Sequence, residues 1–253
     1  MPDVQLLVDR LAQARDSVTA IPQLSDDTPG LDLEAGYAVQ RLSRVGRGDV
    51  IGWKLGVTSR AKQVQVGVDA PIYGYLTTAH VLDYGEPLVT AEHINPRCEP
   101  EIAFVMGADL SGAHVTATEV LAATAGVAPG IEVLDSRFTD YRFTMPDVVA
   151  DNASAGRYVV GTPVPAAGID LRLVGVLLEH NGEVVATASG AASLGHPAAA
   201  VAWLVRSLAA SEEGLRAGDV ILSGGLTAAV PVAAGDVVVA TVDRIGSVEL
   251  ACR

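Results

Sequence analysis

Apolar residues recur at Val4, Leu7, Val8 and Leu11, the i, i+3, i+4, i+7 spacing of an amphipathic helix. Turn formers from Pro22 to Gly30 follow it. Asp32 is placed to cap a second helix whose inward face reads Ala35, Ala38, Leu42 and Val45. From Val50 the helical period gives way to alternation: Ile51, Trp53 and Leu55 share one strand face, and Gly52, Lys54 and Gly56 share the other. A lysine between two glycines has open space around it, which suits a ligand, although an ordinary exposed strand lysine fits the same pattern. Thr58 or Ser59 is placed to cap a short helix. Thr116-Ala117-Thr118-Glu119 is a capping box opening another. Asn181-Gly182, between Leu173–Glu179 and Glu183–Thr187, predicts a hairpin. Pro197 opens a helix burying Val201, Leu204, Val205 and Leu208, and the turns Arg216–Val220 and Ala233–Val237 each launch a strand.

These elements predict an α+β fold: a helical N-terminal segment, residues 1–48, packed on a β-rich core, residues 49–253. With 253 residues, 49% hydrophobic and 19% charged, the chain is long and apolar enough to bury a full core. A net charge of −13 disfavours nucleic acid and anionic membrane as partners. Two cysteines, Cys98 and Cys252, make no disulfide framework, and they suit a reduced, cytoplasmic setting. Met1-Pro2-Asp3-Val4-Gln5 shows no secretory pattern. The stretch Val184–Val205 lacks charge, but its Ser189, Gly190, Gly195 and Pro197 break it into strand, loop and helix start rather than a membrane span. Its Ala and Val content suggests a large core and a subunit interface.

No Walker sequence, dinucleotide fingerprint, nucleophile elbow or zinc-protease histidine spacing occurs. Four clusters remain. In Arg97-Cys98-Glu99-Pro100-Glu101-Ile102-Ala103-Phe104-Val105, Glu99 and Glu101 fall on one face of an apolar strand, and Glu132 has a similar apolar setting. Adjacent anions there call for a cation, a hard divalent ion by ligand chemistry; solvated glutamates answered by Arg97 are the other reading. Lys54 is the second cluster. The third runs from Asp135-Ser136-Arg137 to Asp151-Asn152-Ala153-Ser154-Ala155-Gly156, also readable as a loop built on turn chemistry. The fourth is Leu222-Ser223-Gly224-Gly225-Leu226-Thr227, where amides and Thr227 can hold a carboxylate or simply end a strand.

The order of these clusters resembles the 2-oxopent-4-enoate hydratase/4-oxalocrotonate decarboxylase family, within the fumarylacetoacetate hydrolase superfamily. The matching blocks are Gly52–Ser59, Pro100–Phe104, Glu132–Arg137, Val149–Ser154, Gly190–Pro197 and Ala217–Gly224. The resemblance implies a mixed β-roll core with a helical N-terminal part. It implies Mg²⁺ or Mn²⁺ on Glu99, Glu101 and Glu132, chelating a 2-oxo acid through its carboxylate and keto oxygens. By the same comparison Lys54 is catalytic, holding or protonating the remote end of the substrate. Ile72, Tyr73, Asp151, Asn152, Ser154, Arg157 and Thr227 line the substrate.

Between the two activities of that family, one position discriminates. Hydratase members carry an acid after the proline in the segment matching Ala70-Pro71-Ile72-Tyr73-Gly74, and water addition wants such an acid–base group. Ile72, Thr58-Ser59-Arg60-Ala61-Lys62 and the bulky pair Arg157-Tyr158 resemble decarboxylase members instead; Gln63-Val64-Gln65-Val66 departs from them. The expectation is decarboxylation of 2-oxohex-3-enedioate to 2-hydroxypenta-2,4-dienoate in meta-cleavage catabolism of aromatic compounds, with hydration of that product as the alternative. A small 2-oxo dicarboxylic acid, a homo-oligomer and a complex with a cognate hydratase are the implied partners. A hydrolase of acylpyruvates would need a His–Glu pair, and no histidine matches that role.

Overall fold

In a computed structural model that describes residues 2–59, 63 and 70–253, the alternation beginning at Val50 builds a seven-stranded sheet. Its strands, numbered along the chain, are β1 (Val50–Gly56), β2 (Ile72–Thr77), β3 (Arg97–Met106), β4 (Thr124–Leu134), β5 (Ala155–Val160), β8 (Val220–Leu222) and β9 (Val230–Pro231). They lie in the order β2-β1-β8-β3-β4-β5, with β9 beside β3. The β1–β8 pair is parallel and the others antiparallel, so the sheet is mixed. A four-stranded antiparallel sheet, β11 (Gly246–Ala251), β10 (Val237–Val242), β6 (Gly175–His180) and β7 (Glu183–Ser189), packs on it. Ile131, Val133 and Val159 of the first sheet meet Leu178, Val238, Val248 and Leu250 of the second.

The helices are α1 (Val4–Asp16), α2 (Leu33–Ser43), α3 (Ala117–Ala123), α4 (Met145–Ala150) and α5 (Pro197–Ala209), of which α5 covers the other face of the first sheet while α1 packs on α2. As the spacing predicts, α5 buries Val201, Leu204, Val205 and Leu208, against Trp53, Tyr75, Phe104 and Ile221. The capping box at Thr116 opens α3, and Asn181-Gly182 forms the β6–β7 turn with both residues at positive φ. Asp219 and Asp236 each accept the amide three residues back, so the two turns before β8 and β10 share one geometry.

The second helix faces differently from its expected face. It buries Gly36, Val39 and Gln40; Ala35, Ala38 and Leu42 are half-buried, and Val45 is 76% exposed beyond the helix end. Close approach to α4 sets this rotation, since a Cβ on Gly36 would stand 2.7 Å from the Pro146 carbonyl oxygen. Gln40 then donates to the Tyr73 and Val149 carbonyls. Among the described residues no helix is long and apolar enough to cross a membrane. The helix expected after Thr58 or Ser59, Arg60-Ala61-Lys62 of the decarboxylase-like motif, and Val64 to Val66 lie outside the described residues.

Candidate active site

The β3–β4 register assembles the acidic cluster. Glu99 stands opposite Glu132, and Glu101, two residues along on the same face, stands opposite Gly130. The missing side chain at Gly130 leaves room for the third carboxylate. Each residue offers one carboxylate oxygen to a set whose members all lie within 4.8 Å of one another. Glu99, Glu101 and Glu132 are 5%, 0% and 1% exposed, so the solvated reading is excluded.

Like charges at such distances in a dry interior repel strongly. Burial, then the neighbouring Glu132 charge, pushes the Glu101 carboxyl well above the ordinary range, against the pull of Lys54. Burial likewise raises Glu132, opposed chiefly by Lys54. Glu101 Oε2 accepts the Gly224 amide at 2.6 Å. Glu101 Oε1 and Glu132 Oε2 are buried with no hydrogen-bond partner. Hard oxygen donors, converging and unsatisfied, fit a divalent cation such as Mg²⁺.

Lys54 projects from β1 into this cluster, contrary to an exposed strand lysine: it is 2% exposed. Its Nζ lies 3.1 Å from Glu132 Oε1 and donates to the Ala153 carbonyl at 2.9 Å. That carbonyl belongs to an unusual turn. Asn152, Ala153 and Ser154 follow one another with φ of 51°, 52° and 57°. Left-handed backbone at non-glycine residues costs about 1–2 kcal/mol each, so the surroundings must hold it. The Asn152 amide brackets Tyr75, donating to its carbonyl and accepting its N–H, both at 2.9 Å. Asp151 pairs with Arg137; burial pushes its carboxyl up to about 6 against that guanidinium's pull, which leaves it ionised at neutral pH.

Lys54 and Glu99 open into a cavity of about 550 Å³, where Ile72, Val148, Phe143 and Met145 form an apolar wall. Ser154 also lines it, its buried hydroxyl without a partner. Of the residues expected at the substrate, Ile72 and Ser154 are therefore brought to the cluster. Tyr73 turns the opposite way, as a strand neighbour must, and stacks on Tyr37 with ring centroids 4.7 Å apart. Asp151, Asn152 and Arg157 face a second cavity instead. Thr227 donates to the Ala228 carbonyl at 3.0 Å, and the adjoining Ala228 and Ala229 line the wall. Sequence reasoning missed Tyr141, Phe143, Met145 and Val148, and it read Arg97 only as a surface counter-charge. Arg97 lines the cavity, its guanidinium carbon 4.0 Å from the centre of the Tyr141 ring. It sits two residues before Glu99 on the same strand face, so the period-two signal was sufficient to place it.

A family model described as fumarylacetoacetate (FAA) hydrolase C-terminal matches residues 49–252. The chain belongs to this family. Within it, the chain is 44% identical over 238 residues to a 4-oxalocrotonate decarboxylase of Pseudomonas sp. (strain CF600), covering 92% of this chain and 90% of that protein. It is 41% identical over 243 residues to a 2-keto-4-pentenoate hydratase of Paraburkholderia xenovorans (strain LB400), covering 94% and 90%. Among solved structures, 4-oxalocrotonate decarboxylase from Pseudomonas putida G7, complexed with magnesium and adipate, superposes with a TM-score of 0.94 at 39% identity, covering 99% of this chain and 97% of that one. Membership of the fumarylacetoacetate hydrolase family agrees with the mixed sheet and the helical flank described above.

Proposed function

We propose that this chain is a divalent-metal-dependent lyase that decarboxylates 2-oxohex-3-enedioate to 2-hydroxypenta-2,4-dienoate, with Mg²⁺ or Mn²⁺ held by Glu99, Glu101 and Glu132. The observation that carries this reading is the cavity wall. Glu99 of the metal cluster is the only carboxylate among the described lining residues, and Ile72, where the family resemblance implies an acid in hydratases, adds an apolar side chain to that wall. Loss of CO₂ needs an electron sink and a dry pocket for the departing carboxylate, not a general base. The bound metal supplies the sink, as a Lewis acid toward the keto oxygen.

The chain's own groups do the rest. Lys54, tied to Glu132 and Ala153, offsets the negative charge of the cluster and fixes Glu132 in place. The Ser154 hydroxyl is free to hydrogen-bond the substrate. Ile72, Phe143, Met145 and Val148 exclude water from its chain, and Arg97 gives the wall a second positive charge for a dianion. Adipate, in the related decarboxylase structure, is a six-carbon dicarboxylate like the substrate proposed. The 41% identity to a hydratase keeps water addition to 2-hydroxypenta-2,4-dienoate as the second reading. We further place the enzyme in the cytoplasm, on its two unpaired buried cysteines, and expect a homo-oligomer able to associate with a hydratase.

The test is to incubate the purified protein with each substrate, with and without Mg²⁺, following dienoate absorbance and CO₂. Metal-dependent CO₂ release from 2-oxohex-3-enedioate is expected. Loss of dienoate absorbance without CO₂ would establish the hydratase instead.

A further inference from the structure

We propose that a second cavity, between the N-terminal helices and the back of the strained Asp151–Arg157 segment, binds a small oxyanion carrying at least two negative charges. It encloses about 480 Å³ and contains none of Glu99, Glu101 and Glu132. Its walls come from α1, the end of α2, β2 and the start of β5. The proposal stands apart from the reaction assigned above.

Charge makes the case. The chain has 30 acidic and 17 basic side chains, yet Arg15, Arg47, Arg137 and Arg157 converge here. The acids of the same cavity are already engaged or lie at its rim. Asp135 accepts the Ile94 and Asn95 amides, Asp151 pairs with Arg137, and Asp9 and Glu92 are exposed. Arg15 takes Asp16, which points to solvent. Among the described residues neither Arg47 nor Arg157 has a carboxylate within ion-pair distance. Arg47 touches the Tyr75 hydroxyl, and Arg157 Nη1 donates to the Ala79 carbonyl at 2.5 Å.

Arg47 is half-buried and the Arg157 fork reaches solvent, and guanidinium groups gathered in one concavity without carboxylate partners leave donors and positive charge for an anion. Their planar donor forks match the oxygens of phosphate or of a dicarboxylate. His80 adds a further donor. Its Nδ1 accepts the Thr77 amide at 2.9 Å, so the neutral ring carries its proton on Nε2. Burial first, then the nearby Arg47 and Arg137, holds that imidazole down at about 3, so the ring stays neutral beside the arginines.

The experiment is calorimetric titration of the Mg²⁺-loaded full chain with inorganic phosphate and, separately, with succinate, at matched ionic strength. Saturable binding of one anion per chain is expected. The tighter of the two probes identifies the source as a phosphoryl compound or a dicarboxylate. Arg47→Gln and Arg157→Gln should each weaken it about tenfold, the worth of one charge-assisted hydrogen bond, and Glu101→Gln should leave it unchanged. Both arginines are half-buried, and thermal melts check that each variant folds; Arg47→Lys, which keeps the charge and loses the fork, should bind in between. Absence of saturable binding by either probe overturns the proposal. So does binding that survives both arginine variants, or binding that is lost in Glu101→Gln.

Discussion

Glu101 concentrates the tension of the site in one side chain. It is fully buried, its Oε1 lacks a partner, and Glu132 and Glu99 both oppose its charge. Removing a like charge from a metal-free cluster relieves repulsion, whereas removing a ligand from a loaded one loses a contact. Glu101→Gln is therefore expected to melt at a higher temperature than the parent in chelator, and to bind Mg²⁺ about tenfold to a hundredfold more weakly. Melts with and without metal check both signs; a variant less stable than the parent in chelator defeats the account. His80 makes a second prediction at this scale. An unfolded histidine titrates near 6.5, and the folded one is held at about 3 by burial and the neighbouring arginines. Between those values the unfolded chain binds more protons, so this contribution is complete above pH 6.5 and is lost as the pH falls toward 3. From pH 6.5 to 5 the loss is about 2 kcal/mol. His80→Gln, which keeps an acceptor for the Thr77 amide, should flatten that part of the denaturation-versus-pH curve.

At the scale of elements, the loop after β8 holds the cluster from behind. Gly224 has φ +105°, and a Cβ there would stand 2.1 Å from Thr58 Oγ1; its amide is the donor to Glu101. Gly224→Ala should destabilise the fold by about 1–3 kcal/mol and weaken Mg²⁺ binding. Gly30→Ala, equally left-handed at φ +82° but with nothing within 4 Å, should cost only about 1 kcal/mol and leave the metal alone. Denaturation curves and metal titrations on the pair separate crowding from strain. The same scale shows what a sequence can disclose. Glu99 and Glu101 are legible because strand alternation is local, and Arg97 was legible by the same rule. Tyr73 was legible too: as the neighbour of Ile72 it had to face away. Glu132 was legible as a third acid in an apolar setting, but its place opposite Glu99 was not, because cross-strand register joins positions 33 residues apart that no local pattern links. The division of Asp151–Arg157 between two cavities was hidden, since Ala153 and Ser154 carry no sign of the left-handed backbone that turns them. The phase of α2 was misread because its tightest contact is a glycine, Gly36, which a hydrophobic pattern does not register.

For the whole molecule, the expected homo-oligomer has a place to form at the open edge of the second sheet. The first sheet is covered by α5 and by the second sheet, but among the described residues β7 pairs with β6 alone and ends that second sheet. Its sequence, Glu183-Val184-Val185-Ala186-Thr187-Ala188-Ser189, has neither the lysine nor the proline that usually blunts an edge. Val184 and Val185 are 54% and 47% exposed, with Leu177 on β6 at 40%. A second copy presenting the same edge antiparallel would pair the free backbone groups and cover these valines, a self-complementary contact of twofold symmetry. The net charge of −13 opposes indiscriminate stacking, so a closed contact is favoured over open aggregation. The combined Val184→Lys and Val185→Lys variant should thus lower the molar mass in light scattering, keep its circular dichroism, and bind Mg²⁺ as the parent does, because the cluster lies in the other sheet. An unchanged mass in that variant would move the contact away from β7, and a parent that is monomeric at micromolar concentration would remove it altogether.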